Sequence, residues 1–337
     1  MSEPRVSVVI PTLVAGPALV ECLASLVRQS FRGFEILVID NSGRQLAREA
    51  GANRFGAVIL EQKENIGFGA AVNAGFRYSR APLLATLNDD AVAHPDWLAQ
   101  LVAAAEAHPR VGMFASQVVL SESGQLDSAG MLVCGDGTSK QRGHFEPPER
   151  YNRLEEVLLP SGSAALYRRE MLDEIGMFDE DFYLYCEDTD LGLRARWAGW
   201  TCIYVPGARV DHGYSATAGR ASPLKAYYVE RNRLCVLLKN FPAGLLLRAP
   251  GETLARYVWH FVSILQNRGM AARFTEGNHG MLDLAFIVVR AHAAVAFRAW
   301  SIWKKRRALR RTARLTSAEF RALLEKHRIA AREVAVL

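Results

Sequence analysis

A chain of 337 residues, half of them hydrophobic and 23% charged, has an ordinary globular composition and room for one large domain with an appendage or two modest ones. Five cysteines, odd in number and never spaced Cys-x-x-Cys, argue against a disulfide framework or a structural zinc and suit a reduced, cytosolic compartment. The net charge of +6 matters less than its distribution, since seven of the eleven residues 304–314 are Lys or Arg and none is acidic.

No secretory signal precedes the first strand-like run, Arg5 to Ile10, which Pro11-Thr12 ends. Leu19, Cys22, Leu23, Leu26 and Val27 then recur at helical spacing. Phe34 to Ile39 is the next strand, closed by the turn residues Asp40-Asn41-Ser42-Gly43. A short helix, a strand over 57–60, the loop Lys63 to Gly69 and a helix from Ala70 to Tyr78 follow. Pro82 to Leu87 is a fourth strand and runs into Asn88-Asp89-Asp90. Strand alternating with helix predicts a doubly wound, mostly parallel α/β sheet, whose ligands bind beyond the carboxyl ends of the strands. Asp40 and the Asn88–Asp90 cluster are both expected on that edge.

Helical spacing returns from Pro95 to Ala107, and strands are expected over 111–120 and 126–134. Residues 135–149 read as a loop, free to move. Ser161 to Tyr167 is a turn entering a strand. Phe182 to Arg194 places Glu187, Asp188 and Asp190 at the start of an amphipathic helix, where acidic residues also complement the helix dipole. A short strand over 201–205 precedes Val210-Asp211-His212-Gly213-Tyr214-Ser215, with His212 expected in the loop after it. Beyond Pro223 the pattern is helical over 224–239, 245–268 and 281–311. A last helix opens with the capping box Thr316 and Glu319. A boundary at 222/223 separates an α/β domain from a mainly helical region.

No stretch reaches the about 18 uninterrupted apolar residues of a spanning helix. The nearest, 281–300, is interrupted by Asp283, Arg290, His292 and Arg298. There is no Gly-x-Gly-x-x-Gly after the first strand, no P-loop and no Gly-x-Ser-x-Gly elbow, so dehydrogenase, P-loop NTPase and α/β-hydrolase readings lose their usual signatures. Two acidic clusters on separate loops suit a metal-assisted transfer with a separate general base. An acidic pair at a strand end suits a hard cation such as Mg²⁺ or Mn²⁺, which takes few protein oxygens and several from a substrate phosphate; the imidazole of His212 completes such a site. The basic run, with Trp300 and Trp303 at its leading edge, suits an anionic membrane interface. No DNA- or RNA-binding signature accompanies it.

Val6-Ser7-Val8-Val9-Ile10-Pro11-Thr12, Val38-Ile39-Asp40-Asn41-Ser42, Glu64-Asn65-Ile66-Gly67-Phe68-Gly69, Asn88-Asp89-Asp90 and Tyr185-Cys186-Glu187-Asp188-Thr189-Asp190-Leu191 occur in this order. As an ordered set spanning roughly residues 5–242 they resemble glycosyltransferase family 2, inverting enzymes of the GT-A fold, and within it the rhamnosyltransferase-like bacterial branch. Phe178 to Phe182, Arg231-Asn232 and Lys239-Asn240 resemble that branch too. The resemblance implies a nucleotide-sugar donor, best matched by dTDP-L-rhamnose, with UDP- or GDP-sugars or a non-catalytic binding role as alternatives. It implies that Asp40 pairs with the base, that Thr12, Asn65, Gly67 and Asp89 lie along the nucleotide, and that Asn88 meets the ribose. Asp90 and His212 would hold the divalent metal. Asp188 would be the general base, with Glu187 and Asp190 positioning it or the acceptor. The acceptor would be a lipid-linked or cell-envelope saccharide, polyprenyl diphosphate being the implied carrier, met by a peripheral protein on the cytoplasmic face of a bacterial inner membrane. Two departures stand out: Leu13-Val14 where the family often has Tyr-Asn, and Asp89 where the branch commonly has proline.

Overall fold

Val6, Val8 and Ile10 point to one side of the first strand and Ser7 and Val9 to the other, and all five are buried. A strand covered on both faces belongs inside a sheet, which is why its sequence is apolar without alternation. In the computed structural model, which describes residues 3–213, 222–276 and 280–336, twelve strands form. They are β1 (Val6–Thr12), β2 (Phe34–Asp40), β3 (Val58–Glu61), β4 (Leu83–Leu87), β5 (Ala91–Ala93), β6 (Val111–Leu120), β7 (Leu126–Ser128), β8 (Met131–Val133), β9 (Ser139–Gln141), β10 (Glu155–Val157), β11 (Ala164–Arg168) and β12 (Thr201–His212). Ten make one sheet ordered β10-β12-β6-β11-β4-β1-β2-β3, with β5 on β12 and β7 on β6. β3, β2, β1 and β4 run parallel, as do β6 and β12. β11 lies antiparallel between β4 and β6. The sheet is therefore mixed, mostly parallel and flanked by helices, as the α/β reading anticipated.

Compactness divides the chain into two units. The first holds the ten-stranded sheet with α1 (Pro17–Val27), α2 (Leu46–Glu49), α3 (Phe68–Tyr78), α4 (Trp97–Ala107), α5 (Arg169–Ile175) and most of α6 (Glu187–Trp197). Leu19, Cys22, Leu23 and Leu26 of α1 and Trp97, Leu98 and Leu101 of α4 join Val6, Val8 and Ile10 in one core. On the other face Gly75 lets α3 lie directly on Val9 and Ile39, where a Cβ would overlap Val9.

The second unit takes Met131–Lys140, Arg196–Gly199 and the chain from Ser222 onward. Its helices are α7 (Pro223–Asn240), α8 (Ala243–Leu246), α9 (Ala249–Leu265), α10 (Gly269–Glu276), α11 (Met281–Phe297), α12 (Ala299–Thr312), α13 (Ser317–Lys326) and α14 (Ala331–Val336). The capping box is present: Thr316 accepts from the Glu319 backbone, and Glu319 accepts from that of Thr316. The continuous helix expected over 281–311 breaks at Arg298, which caps both α11 and α12.

Three expectations are corrected. The strand expected at 201–205 continues to His212, because pairing with β6 resumes after an irregularity at Pro206–Ala208; His212 ends a strand and is not in a loop. The strand expected at 126–134 is two short ones. The stretch read as a free loop contains β9 and the buried residues Asp136 and His144. Tyr214 and Ser215 lie outside the described residues.

Candidate active site at the strand ends

β1, β2, β4 and β12 bring Thr12, Asp40, Asn88–Asp90 and His212 to the edge that strand order predicts for a ligand. Antiparallel pairing of Ala164 with Leu87 places the turn 161–163 beside Asn88, whose N–H donates to the Ser163 carbonyl at 2.8 Å. The N–H of Gly162, one residue earlier, donates to Oδ2 of Asp188 at 3.0 Å. One three-residue turn thus ties the Asn88–Asp90 cluster to the start of α6. A Cβ at Gly162 would lie 3.3 Å from that of Asp188, so glycine permits this approach.

His212 is the pivot of the first cluster. Its Nε2 lies 3.2 Å from Oδ1 of Asp90 and 3.2 Å from Nδ2 of Asn88. Its Nδ1 lies 2.9 Å from Oδ2 of Asp127, which also meets Nδ1 of His144 at 3.3 Å through Oδ1. Burial would raise Asp127, but hydrogen bonds from His144 and His212 outweigh it and hold the carboxyl at about 2. Burial would lower His212, but Asp127 and Asp90 outweigh it and raise the ring to about 10. Both ring nitrogens thus face carboxylates, Asp127 on one side and Asp90 on the other. An imidazole steadied through its far nitrogen by a carboxylate is the usual arrangement of a metal-ligating histidine. With Asp90 it offers one nitrogen and carboxylate oxygens, a set that fits Mg²⁺ or Mn²⁺. Among the described residues no group of three or more His, Cys, Asp or Glu side chains converges as a metal site. Coordination positions would then remain for substrate oxygens and water.

Asp89, the departure from the branch, accepts from Oγ1 of Thr12 at 2.6 Å, which joins the ends of β1 and β4. Burial raises its carboxyl to about 6 against the opposing Thr12 hydrogen bond. Asp40 turns its carboxylate back onto the chain, accepting from Ser42 N at 3.0 Å and Ala47 N at 2.8 Å, and so closes the turn before α2. Asn41 donates to Oδ1 of Asn65 at 2.9 Å and accepts from Ile66 N at 3.0 Å; Asn65 in turn accepts from Gly67 N at 2.9 Å. Gly67 has φ +85°, and a Cβ there would overlap the carbonyl of Tyr183. The loop carrying Asn65 and Gly67 is thereby seated against the chain that leads to Asp188.

That chain is strained. Tyr183, Tyr185 and Cys186 all have positive φ (64°, 68° and 65°), each at a cost of about 1–3 kcal/mol for a residue with a side chain. The strain turns α6 so that Glu187 and Asp188 open its first turn, as the helix-dipole reading expected. Asp188 is partly exposed and accepts from Gly162 N and, at 2.6 Å, from Thr189 N. Burial raises it above the usual carboxylate range against these hydrogen bonds. Glu187 is buried with Oε2 unpartnered; burial and then Asp188 push it to about 8, so it is neutral at pH 7.

Asp190 is paired with Arg194. It is 0% exposed and accepts from Nε of Arg194 at 2.8 Å, whose other nitrogens bind the carbonyls of Ile175, Gly176 and Met177. In this position it braces the loop before Phe178. Asp127, His144, Asn41 and Gly162 are the additions that sequence reasoning missed. Asn41 and Gly162 stood within a motif and a turn that were recognised without a role, and the polar Asp127-Ser128 pair inside an apolar run was the local signal for Asp127.

The model of glycosyl transferase family 2 matches residues 7–176. The chain is 32% identical over 252 residues to an N-acetylglucosaminyl-diphospho-decaprenol L-rhamnosyltransferase of Mycobacterium tuberculosis, covering 66% of this chain and 80% of that one. It is 28% identical over 270 residues to the uncharacterized glycosyltransferase YwdF of Bacillus subtilis, covering 76% and 95%. Its fold is similar to that of GalNAc-T7, solved with UDP, GalNAc and Mn²⁺, at a TM-score of 0.60 and 16% identity over 75% of this chain and 51% of that one. With half its length matched by the family model, the chain belongs to glycosyltransferase family 2 and is a glycosyltransferase of the GT-A fold.

Proposed function

We propose that the enzyme transfers a sugar with inversion, L-rhamnose from dTDP-L-rhamnose in the first instance, to a saccharide on a polyprenyl diphosphate carrier. The observation that carries the reading is the 161–163 turn, which bonds both to Asp188 and to the backbone of Asn88, beside the Asp90–His212 pair. An inverting displacement needs a base apart from the metal-binding group, because the base acts on the face of the sugar opposite the leaving diphosphate. The sugar and the lipid-linked acceptor follow the name of the mycobacterial relative, and the nucleotide follows the family resemblance.

In this reading Asp188 accepts the proton of the acceptor hydroxyl. Its carboxylate keeps lone pairs free beyond those taken by Gly162 and Thr189, and its raised proton affinity suits the task. Neutral Glu187 beside it adds no second charge and packs the base in place. Asp90 and His212 hold Mg²⁺ or Mn²⁺, which when bound offsets the negative charge of the departing nucleoside diphosphate. Thr12, Asp40, Asn65, Gly67, Asn88 and Asp89 line the nucleotide. The protein works as a peripheral enzyme of the cytoplasmic membrane face, since its acceptor is anchored there.

Asp188→Asn tests the base. Transfer should fall by about 10²–10⁴-fold while calorimetric affinity for nucleotide with Mn²⁺ stays near wild type. Near-wild-type turnover would remove Asp188 from the role. Asp90→Ala should instead abolish the Mn²⁺-dependent part of nucleotide affinity. Thermal shift with a panel of nucleotide sugars selects the donor, since the tightest one stabilises the fold most.

A further inference from the structure

α11 is apolar on two opposite sides. Ile287, Ala291 and Val295 are buried, and the helix packs along α7. The residues at i, i+4, i+7 and i+15 from Leu282 fall on the other side: Leu282 (85% exposed), Phe286 (67%), Val289 and Phe297 (91%). A helix that has already buried one apolar stripe gains nothing in water from a second one. Contiguous exposed surface of this kind marks an interaction site.

α12, the next helix, says what covers it. Trp300 and Trp303 are exposed and stacked with ring centroids 4.8 Å apart. Lys304 lies over the Trp300 ring and Arg307 over the Trp303 ring, each at 5.4 Å. Lys304, Arg307 and Arg311 share the helix side of Trp300 at i+4, i+7 and i+11, and all three are exposed. Not every cation of the run is available: Arg306 binds the Leu238 carbonyl and Arg310 those of Asn240 and Phe241, tying α12 to the end of α7. Exposed aliphatic and phenyl groups, paired indoles and cations on neighbouring helices are the groups that the interface of an anionic bilayer takes up. A protein partner would need no such combination. Among the described residues no helix is long and apolar enough to cross a membrane, so the surface would lie in the interface and not span it.

We propose that the outward stripe of α11 and the Trp300–Trp303 pair of α12 seat this unit in the interface of an anionic bilayer, with Lys304, Arg307 and Arg311 on the headgroups. The inference deepens the reading of a lipid-linked acceptor and rests on it for the choice of a bilayer. The test is flotation of the full chain with vesicles of equal parts phosphatidylglycerol and phosphatidylcholine, beside vesicles of phosphatidylcholine alone. Wild type should float with the anionic vesicles and at least 10-fold less with the neutral ones. Phe286→Glu/Val289→Glu, and separately Lys304→Glu/Arg307→Glu, should each cut flotation at least 10-fold. Nucleotide-plus-Mn²⁺ thermal stabilisation, unchanged in both, shows that the fold is intact. As a measurement independent of charge insertion, anionic vesicles should blue-shift the wild-type tryptophan emission, and Trp300→Phe/Trp303→Phe should remove the shift. Unimpaired flotation of the Phe286/Val289 variant overturns the proposal. So does light scattering that finds a wild-type dimer and a monomeric Phe286/Val289 variant, which would make the stripe a contact between copies. A wild type that binds nucleotide and Mn²⁺ but ignores anionic vesicles overturns the docking and leaves the transfer reading standing. One that floats but takes no nucleotide sugar does the reverse.

Discussion

In the strand-built unit, β1 turns Val6, Val8 and Ile10 onto the apolar faces of α1 and α4. In the helical unit, α9 buries Ala249, Arg256 and Ser263 and leaves Leu254, Val258, Phe261 and Leu265 exposed along one side. Its Arg256 donates to Asp136 at 2.6 Å and to Glu230 at 2.9 Å, and Glu230 also binds Arg233, which is 0% exposed. Two carboxylates and two guanidiniums thus neutralise one another inside this unit. The first unit also holds interior charge, in the Asp190–Arg194 pair of α6 and around Asp127 near the strand ends, where it steadies His212. The difference teaches that buried charge has two uses here. In one unit it shapes a ligand site, and in the other it joins helices whose apolar sides face outward.

The largest expected effects lie in the two interiors. Leu37→Ala, at a fully buried position of β2, should cost about 2–5 kcal/mol, measured by denaturant unfolding. Arg233→Ala should cost a similar amount, about 3–5 kcal/mol, because two carboxylates, Glu230 and Asp136, are then left to Arg256 alone in a dry setting. A cost for Arg233→Ala below about 1 kcal/mol would show that the ionic cluster is not what joins α7 and α9.

Asp127→Asn comes next. The variant keeps Asp90 and His212 but weakens the group that orients the imidazole, so Mn²⁺ affinity in the presence of nucleotide should fall by about 10–100-fold in calorimetry. An unchanged affinity would make Asp127 a packing residue.

One buried glutamate from each unit should also respond to pH with opposite sign. Glu187 keeps its proton in the fold up to about 8, whereas the unfolded chain releases it near 4.5. Stability from this group therefore declines as pH rises between those values, by up to about 1.4 kcal/mol per pH unit. Glu187→Gln should flatten that decline in melting temperature. For Glu230, burial would raise the carboxyl, but Arg233, Arg256 and Tyr257 hold it at about 2. Its contribution is full above about 4.5 and is lost as pH falls toward 2. A Glu187→Gln profile that parallels wild type from pH 5 to 8 would contradict the first half of this contrast.

The smallest effect sharpens it most. Leu254→Gln in α9 should change stability by no more than about 0.5 kcal/mol, since the side chain is already in water. A loss comparable with Leu37→Ala would mean that the outward stripe is buried in the protein as it exists in solution.

The strands were legible because those buried on both faces are spelled as unbroken apolar runs, as in 6–10 and 34–39. Asn88–Asp90 and Glu187–Asp188 were legible because each cluster is local and stands where an element begins or ends. Asp127 and His144 were not, since Asp127 reaches His212, and His144 reaches Asp127, across separations that no local pattern records. The place of Asp190 was hidden too: its sequence neighbours are Glu187 and Asp188, but a turn of helix points it at Arg194. The spacing of Leu254, Val258, Phe261 and Leu265, like that of Leu282, Phe286 and Val289, determined from sequence alone that each set shares one side of a helix. Which side turns inward was decided by tertiary packing. Arg256 finds two carboxylates from other elements only in the folded chain, and an ion so paired can occupy the interior that a leucine would otherwise take.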